Sequence, residues 1–277
     1  MAWTFDAANA GATGTASPAT FAWTVGDLTN GIAIVWVTWA TLTTTVTGVD
    51  FGGTAMVQAV HNVVANRGVA IYYLYNPPES ASRTATITFS ASPSRWVGGG
   101  HTWSGANSTQ TPQVPTPVNG TGTNPSITSG TGATELIVDC LGIAFTAGQT
   151  LVADADQIER GNTTGGATRG ASSSQLGSAG GVMSWTDSAS RAYNYCAASF
   201  DPASSAQTIA ANQNTETDAS QPVTKRKSKT NGQNSETDTS QAISKLKQKA
   251  FALNTESDAA QLVTPQRRYS VGLVGEI

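Results

Sequence analysis

The chain has 277 residues, a formal charge of −3 and 12% charged residues. That length accommodates one large or two small domains. The charge is too balanced to demand a nucleic-acid partner, and no run approaches the roughly 20 apolar residues of a membrane span.

The charge is unevenly placed. All lysines follow residue 224: Lys225, Lys227, Lys229, Lys245, Lys247 and Lys249. Residues 1–202 carry six arginines against eleven Asp/Glu, and residues 203–277 carry nine Lys/Arg against seven Asp/Glu. This break predicts a domain over 1–202, a linker over 203–213 and a separate segment over 214–277.

Met1–Asp6 has neither a charged n-region nor a long apolar run, so no secretory signal is expected and synthesis in the cytoplasm is. Gly, Pro, Asn and Ser clusters then cut residues 20–201 into short runs rich in β-branched and aromatic residues, which read as strands. The first is Thr20–Val25. Ile32–Ala40 follows, with Ile32, Ile34, Trp36 and Thr38 on one face. Val46–Phe51 leads through Gly52-Gly53, a pair suited to a tight hairpin turn, into Thr54–Val60. Gly68–Tyr75 stops at Asn76-Pro77-Pro78, which cannot continue a ladder. Arg83–Phe89 and Arg95–Trp103 come next. The Pro-rich stretch Thr111–Pro125 reads as an extended crossover rather than a strand. Glu135–Phe145 is the longest apolar strand, Arg160–Gly181 reads as a Gly/Ser/Thr-rich loop, and Val182–Trp185 and Arg191–Phe200 complete the set. Regular strands without amphipathic helical pattern predict a mainly β fold: a Greek-key or jelly-roll-like β-sandwich of two sheets, followed by a C-terminal β-repeat segment.

The repeat is in strict phase. Asn214-Thr-Glu-Thr-Asp-Ala-Ser-Gln-Pro-Val-Thr-Lys recurs from Asn234 and again, ending in Pro, from Asn254, a period of 20 residues. Gln221, Gln241 and Gln261 hold one register position; Val223, Ile243 and Val263 hold another. Each copy has an acidic end, such as Glu216 and Asp218, and the first two have a basic end, such as Lys225 to Lys229. Acidic and basic ends are suited to cross-strand pairing between stacked units or neighbouring chains. One aliphatic position per copy is too little for a free-standing core, so these six residues are the candidates for assembly with other chains. A solvated, flexible linker is the competing expectation.

Candidates for chemistry are few. His61 and His101 are the two histidines, and HExxH, GxSxG and CxxC motifs are absent from the sequence. His61 reads as a surface residue. Gly98-Gly99-Gly100-His101 lacks the Lys-Ser/Thr of a phosphate loop. Cys140 and Cys196 sit in strand-like runs and read as buried free thiols. Asp154, Asp156 and Glu159 form the one tight carboxylate cluster of residues 1–202. A solvated loop is expected there, because the Gly and later Glu of a calcium loop are missing. Trp96 and Trp103 are candidates for stacking on a sugar, with core packing as the alternative.

Thr47–Met56, Arg67–Pro78 and Ala85–Phe89 together resemble a hairpin, strand and alternating strand found in tailed-bacteriophage virion proteins, and Trp103–Pro112 looks like a turn of the same family. The repeat is similar to tandem repeats at the C-termini of phage minor tail and fibre-like proteins. The resemblance implies a non-enzymatic virion structural protein, tail-associated, fibre-like or decorating the particle. It implies no catalytic residues, cofactor or metal, and partners among other virion proteins. A homo-oligomer, most simply a trimer, is expected through the repeats. A lectin-like head binding a host surface glycan is the alternative. A glycan hydrolase is a weaker third reading, resting on Asp154, Asp156 and Glu159.

Overall fold

Runs of Val, Ile, Thr and aromatic residues closed by Gly, Asn or Pro become antiparallel strands throughout, and no helix occurs among the described residues. The computed structural model describes residues 2–41, 43–64, 66–129, 132–177 and 181–204, with two short strands at 247–250 and 255–258. The chain divides into two units, Met1–Ala206 and Gln207–Ile277.

The first half of the larger unit contains β1 (Thr4–Gly14), β2 (Ala19–Val25), β3 (Ile32–Ala40), β4 (Val46–Phe51), β5 (Thr54–Ala55), β6 (Val57–Val64), β7 (Arg67–Tyr75), β8 (Ala81–Phe89) and β9 (Arg95–Ser104). They form a sheet of order β1-β9-β3-β7-β6 facing a sheet of order β2-β8-β4-β5. Gly52 and Gly53, at φ +59° and +82°, make the expected turn between β4 and β5.

The second half contains β10 (Val118–Gly122), β11 (Ser126–Thr128), β12 (Leu136–Ala144), β13 (Leu151–Ala153), β14 (Ile158–Gly165), β15 (Thr168–Leu176), β16 (Val182–Asp187) and β17 (Arg191–Phe200). Its sheets run β10-β17-β12-β15-β14 and β11-β16-β13. This is the order of the first half with each strand but β5, which has no counterpart, replaced by its successor in the second round. One irregularity repeats as well. In the β6–β7 hairpin a bulge sets Ala59 between Gln58 and Val60, and in the β14–β15 hairpin the bulge falls at Arg160, between Glu159 and Gly161. Each bulge lies five residues before the end of its strand.

The domain is therefore a stack of two β-sandwiches, not the single sandwich expected. Its four layers enclose three cores. Ala33, Val35, Val37 and Trp39 face the β2-β8-β4-β5 sheet, packing on Phe21, Trp23, Phe51 and Ile87. The other face of β3, with Ile32, Ile34 and Trp36, meets Leu136, Val138 and Cys140 of β12 in the central core. Ile137, Leu141, Tyr195 and Ala197 face Met183 and Trp185 in the third. Both large sheets are thus buried on both faces.

Across the central core β3 meets β12, β14 lies against β1 and β9, and β6 against β17. These contacts relate the halves by an approximate two-fold axis through β3 and β12, broken at the edge where β14 lies against β1 but β6 has no comparable contact with β10. Missing side chains let the layers close. A Cβ on Gly142 would lie 2.2 Å from Thr38 Oγ1, and one on Gly161 2.4 Å from the carbonyl oxygen of Ala10.

Three expectations need correction. Thr4–Gly14 is a strand although its Gly- and Ala-rich sequence carries little hydrophobic pattern. The proline-rich stretch contains β10, an edge strand on β17, where Pro is kept outside the ladder at either end. Arg160–Gly181 holds most of a hairpin rather than a loop. The segment Thr168–Leu176 buries Ser172, Ser173 and Ser174, so its inward positions are small and polar, not apolar.

In the smaller unit β18 (Lys247–Ala250) pairs antiparallel with β19 (Thr255–Asp258), setting Lys247 opposite Asp258 and Lys249 opposite Glu256. Gln221, Val223, Gln241, Ile243, Gln261 and Val263 lie outside the described residues.

Candidate functional site

A bulge on an edge strand turns one side chain out of the regular alternation. At Arg160 it aims the guanidinium beneath β14, toward β1 and β9 of the other sandwich. The Arg160 Cζ sits 4.0 Å from the ring centre of Phe5 and 4.8 Å from that of Trp103. Phe5 meets Trp103 edge-on, with centroids 5.2 Å apart. Arg160 Nε donates to Ser174 Oγ at 2.7 Å. Each cation–π contact of this kind contributes about 0.5–2 kcal/mol.

The half-buried guanidinium has its pKa lowered by burial alone; no carboxylate acts to raise it. Its charge also reaches His101, which is fully buried beside Trp103. His101 Nδ1 accepts from Trp103 Nε1 at 2.7 Å. Burial, then Arg160, lowers the His101 pKa to about 3, so the ring stays neutral.

Above this cluster the two sandwiches leave a groove of about 400 Å³, lined by Trp3, Phe5, Trp103, Asp156, Ile158, Arg160, Ser174, Gln175 and Leu176. Its walls expose apolar surface: Phe5 is 38% exposed, Ile158 59% and Leu176 56%. Gln175 Oε1 is buried without a hydrogen-bond partner. The groove thus combines a positive charge at Arg160, a carboxylate at Asp156 and aliphatic walls.

The residues singled out from the sequence are dispersed. Trp96 is 4% exposed in the core between the first two sheets, and Trp103 is 3% exposed on the opposite face of the same sheet. Neither offers a ring to solvent as a sugar-stacking platform, because both sit on a strand buried on both faces. The carboxylate trio also separates. Asp154 accepts from Ser184 Oγ and from Thr186 Oγ1, Glu159 accepts from Asn162 Nδ2 at 2.9 Å, and Asp156 lines the groove. No group of three or more His, Cys, Asp or Glu among the described residues is placed to hold a metal ion. His61 is exposed and stacks on Trp39 with centroids 6.4 Å apart.

Cys140 and Cys196 are buried free thiols opposite one another on β12 and β17, and burial raises the Cys196 pKa well above its ordinary value. The Cys196 thiol so held stays protonated.

Sequence reasoning missed two groups. Arg160 was read as the start of a loop, and its signal, a bulge, is a property of pairing that a single strand's sequence does not carry. Asp139 is fully buried in the third core, where its carboxylate accepts from Ser173 N, Ser173 Oγ (2.8 Å), Trp185 Nε1 (2.8 Å) and Tyr195 OH (2.6 Å). Burial pushes its pKa up to about 6, the four donors opposing. It is enclosed by its donors and is a structural hub. A scan of protein families, of curated proteins and of solved structures finds no match to this chain.

Proposed function

We propose that this chain is a non-enzymatic structural protein of a bacteriophage virion, tail-associated and fibre-like, with the double sandwich as its head and the 20-residue repeats as its assembly segment. In this reading each sandwich is a jelly-roll variant, and the repeats bring chains together, most simply as trimers, through Val223, Ile243 and Val263. Other virion proteins are its partners, and the particle is where it resides.

The observation that carries the reading is how the larger unit employs its reactive side chains. His101, Asp139, Cys140 and Cys196 are all buried at 0% exposure inside the cores. The segments that resemble phage virion proteins are framework pieces here: the β4–β5 hairpin, β7 and β8. The register of β18 and β19 sets the basic end of the second copy opposite the acidic end of the third, in keeping with repeats that pair end to end. A decorating protein of the capsid would use the same head. A lectin-like head has less support, because neither Trp96 nor Trp103 presents a ring face.

Mass spectrometry of purified particles, from a lysate in which the chain is expressed during phage growth, tests the proposal. The chain should copurify with particles through a density gradient, and immunogold labelling should place it on the tail. Its recovery only in the soluble fraction would overturn the virion role.

A further inference from the structure

The approximate two-fold axis supplies an internal control for the groove. The bulge residue equivalent to Arg160 is Ala59, which packs against the central core together with Tyr75. Tyr73 contacts Tyr75 and Phe200 edge-on there, and the Tyr75 hydroxyl donates to the carbonyl oxygen of Gln110 at 3.0 Å, so the connection between the sandwiches covers that side. The same framework therefore closes with a methyl group at one bulge and places a cation at the other.

The cation has no ion-pair partner among the described residues, although the Asp156 carboxylate lines the same groove. The single hydrogen bond of Arg160 uses Nε, leaving both terminal amino groups for a ligand. Removing a charge from water without a partner is unfavourable, and a guanidinium receives a carboxylate through two parallel hydrogen bonds. Beside it lies Gln175, whose Oε1 is buried without a hydrogen-bond partner. The guanidinium occupies the near faces of Phe5 and Trp103, so no flat aromatic platform remains for a sugar. The walls at Ile158 and Leu176 are branched aliphatics, which suit apolar side chains. β14 is also a sheet edge, with unpaired backbone groups along one side.

We propose that the groove binds an extended, acidic segment of a partner protein, with Arg160 receiving a Glu or Asp carboxylate and Ile158 and Leu176 packing on a neighbouring apolar side chain. This site stands whether or not the chain is found in particles.

Fluorescence anisotropy with the full chain tests it. The probes are dye-labelled, capped pentapeptides with Glu or Asp at the centre and Leu, Ile or Val beside it, their Gln and Asn counterparts, and the chain's own segment 214–224. Acidic probes should bind at least ~10-fold more tightly than their amide counterparts, and Arg160→Ala should remove that difference. Arg160→Lys keeps the charge without the fork and should retain part of it. Ile158→Ser and Leu176→Ser, at exposed positions, should each weaken binding about 3-fold or more without shifting the thermal melt. Equal binding of acid and amide probes, undiminished binding by Arg160→Ala, or no binding by any probe overturns the proposal. So does binding of N-acetylneuraminic acid in place of the peptides.

Discussion

The two sandwiches share strand order and bulge position but are filled differently. In the first, large side chains occupy the facing layers: Trp23, Trp36, Trp39 and Phe51 are buried, and Ile32, Ile34 and Ile87 fill the gaps. In the second, Asp139 stands where the first has Val35, and Cys140 where it has Trp36, as the β3–β9 and β12–β17 registers align. At these two positions a hydrogen-bonded carboxylate and a small side chain replace bulk, while Trp185, Tyr195 and Phe200 remain the large buried rings of the second. One strand order thus tolerates two ways of satisfying an interior: dense apolar packing, or closer backbones around a polar hub whose partners are all supplied.

The largest expected effects break each filling at its centre. Trp36→Ala should cost about 3–5 kcal/mol, because Leu136, Val138 and Cys140 across the layer cannot fill an indole-sized space. Asp139→Ala should cost on the order of 3–4 kcal/mol, by leaving the donors of Ser173, Trp185 and Tyr195 unpaired in a dry core. Denaturant titration checks both. The comparison sharpens with a rescue. Asp139→Val combined with Tyr195→Phe and Ser173→Ala should recover part of the Asp139→Ala loss, since two of the four donors then leave with the carboxylate. A triple variant no more stable than Asp139→Ala would mean that the second sandwich needs the hub for its geometry.

An intermediate effect is expected where the sandwiches touch. Gly142→Val should cost about 2–3 kcal/mol, because its Cβ position lies 2.2 Å from Thr38 Oγ1. Gly48→Val, with open space around its Cβ position, should change stability by less than about 0.5 kcal/mol. Equal losses at the two sites would contradict the close approach of the layers.

The smallest effect is a difference in pH response. His101, in the first sandwich, has its pKa lowered from 6.5 to about 3 by burial and Arg160. The unfolded chain therefore takes up that proton first, and stability falls as pH drops below 6.5. Asp139, in the second, is raised from 3.8 to about 6 by burial. The folded chain takes up that proton first, so its contribution is complete below 3.8 and is lost as pH rises through about 6. The two oppose each other through mildly acid pH. His101→Gln should therefore flatten or reverse the loss of melting temperature on going from about pH 6.5 to 4, and Asp139→Asn should steepen it. Parallel melting curves for the variants and the parent would refute the opposition.

Legibility followed the same division. Apart from Thr4–Gly14, the first half read well because its strands carry large apolar residues on their inward faces. Ile32–Ala40, Val46–Phe51, Gly68–Tyr75 and Arg83–Phe89 were placed to within one or two residues. The second half was read less well. Leu136–Ala144 carries an apolar run and was found, but Ser172–Ser174 are buried through close sheet contact and through Asp139, which hydrophobic pattern does not encode. The duplication itself was hidden for this reason: strand order and the twin bulges repeat, while side chains at equivalent positions do not. The groove was illegible because Phe5, Arg160 and Leu176 converge only through the stacking of one sandwich on the other. The 20-residue repeat was the clearest signal of all, and its register residues fall outside the described part of the chain.

The central claim is that the head is self-sufficient and the repeats join chains. Sedimentation equilibrium of the full chain beside a truncation ending at Ala206 tests it most directly. The account predicts a monomeric truncation and an oligomeric full chain, a trimer in the simplest arrangement, that Ile243→Asp breaks and Lys245→Ala leaves nearly intact, since a surface ion pair contributes only about 0–1 kcal/mol. Two monomers, or an oligomer that survives removal of residues 207–277, would contradict it.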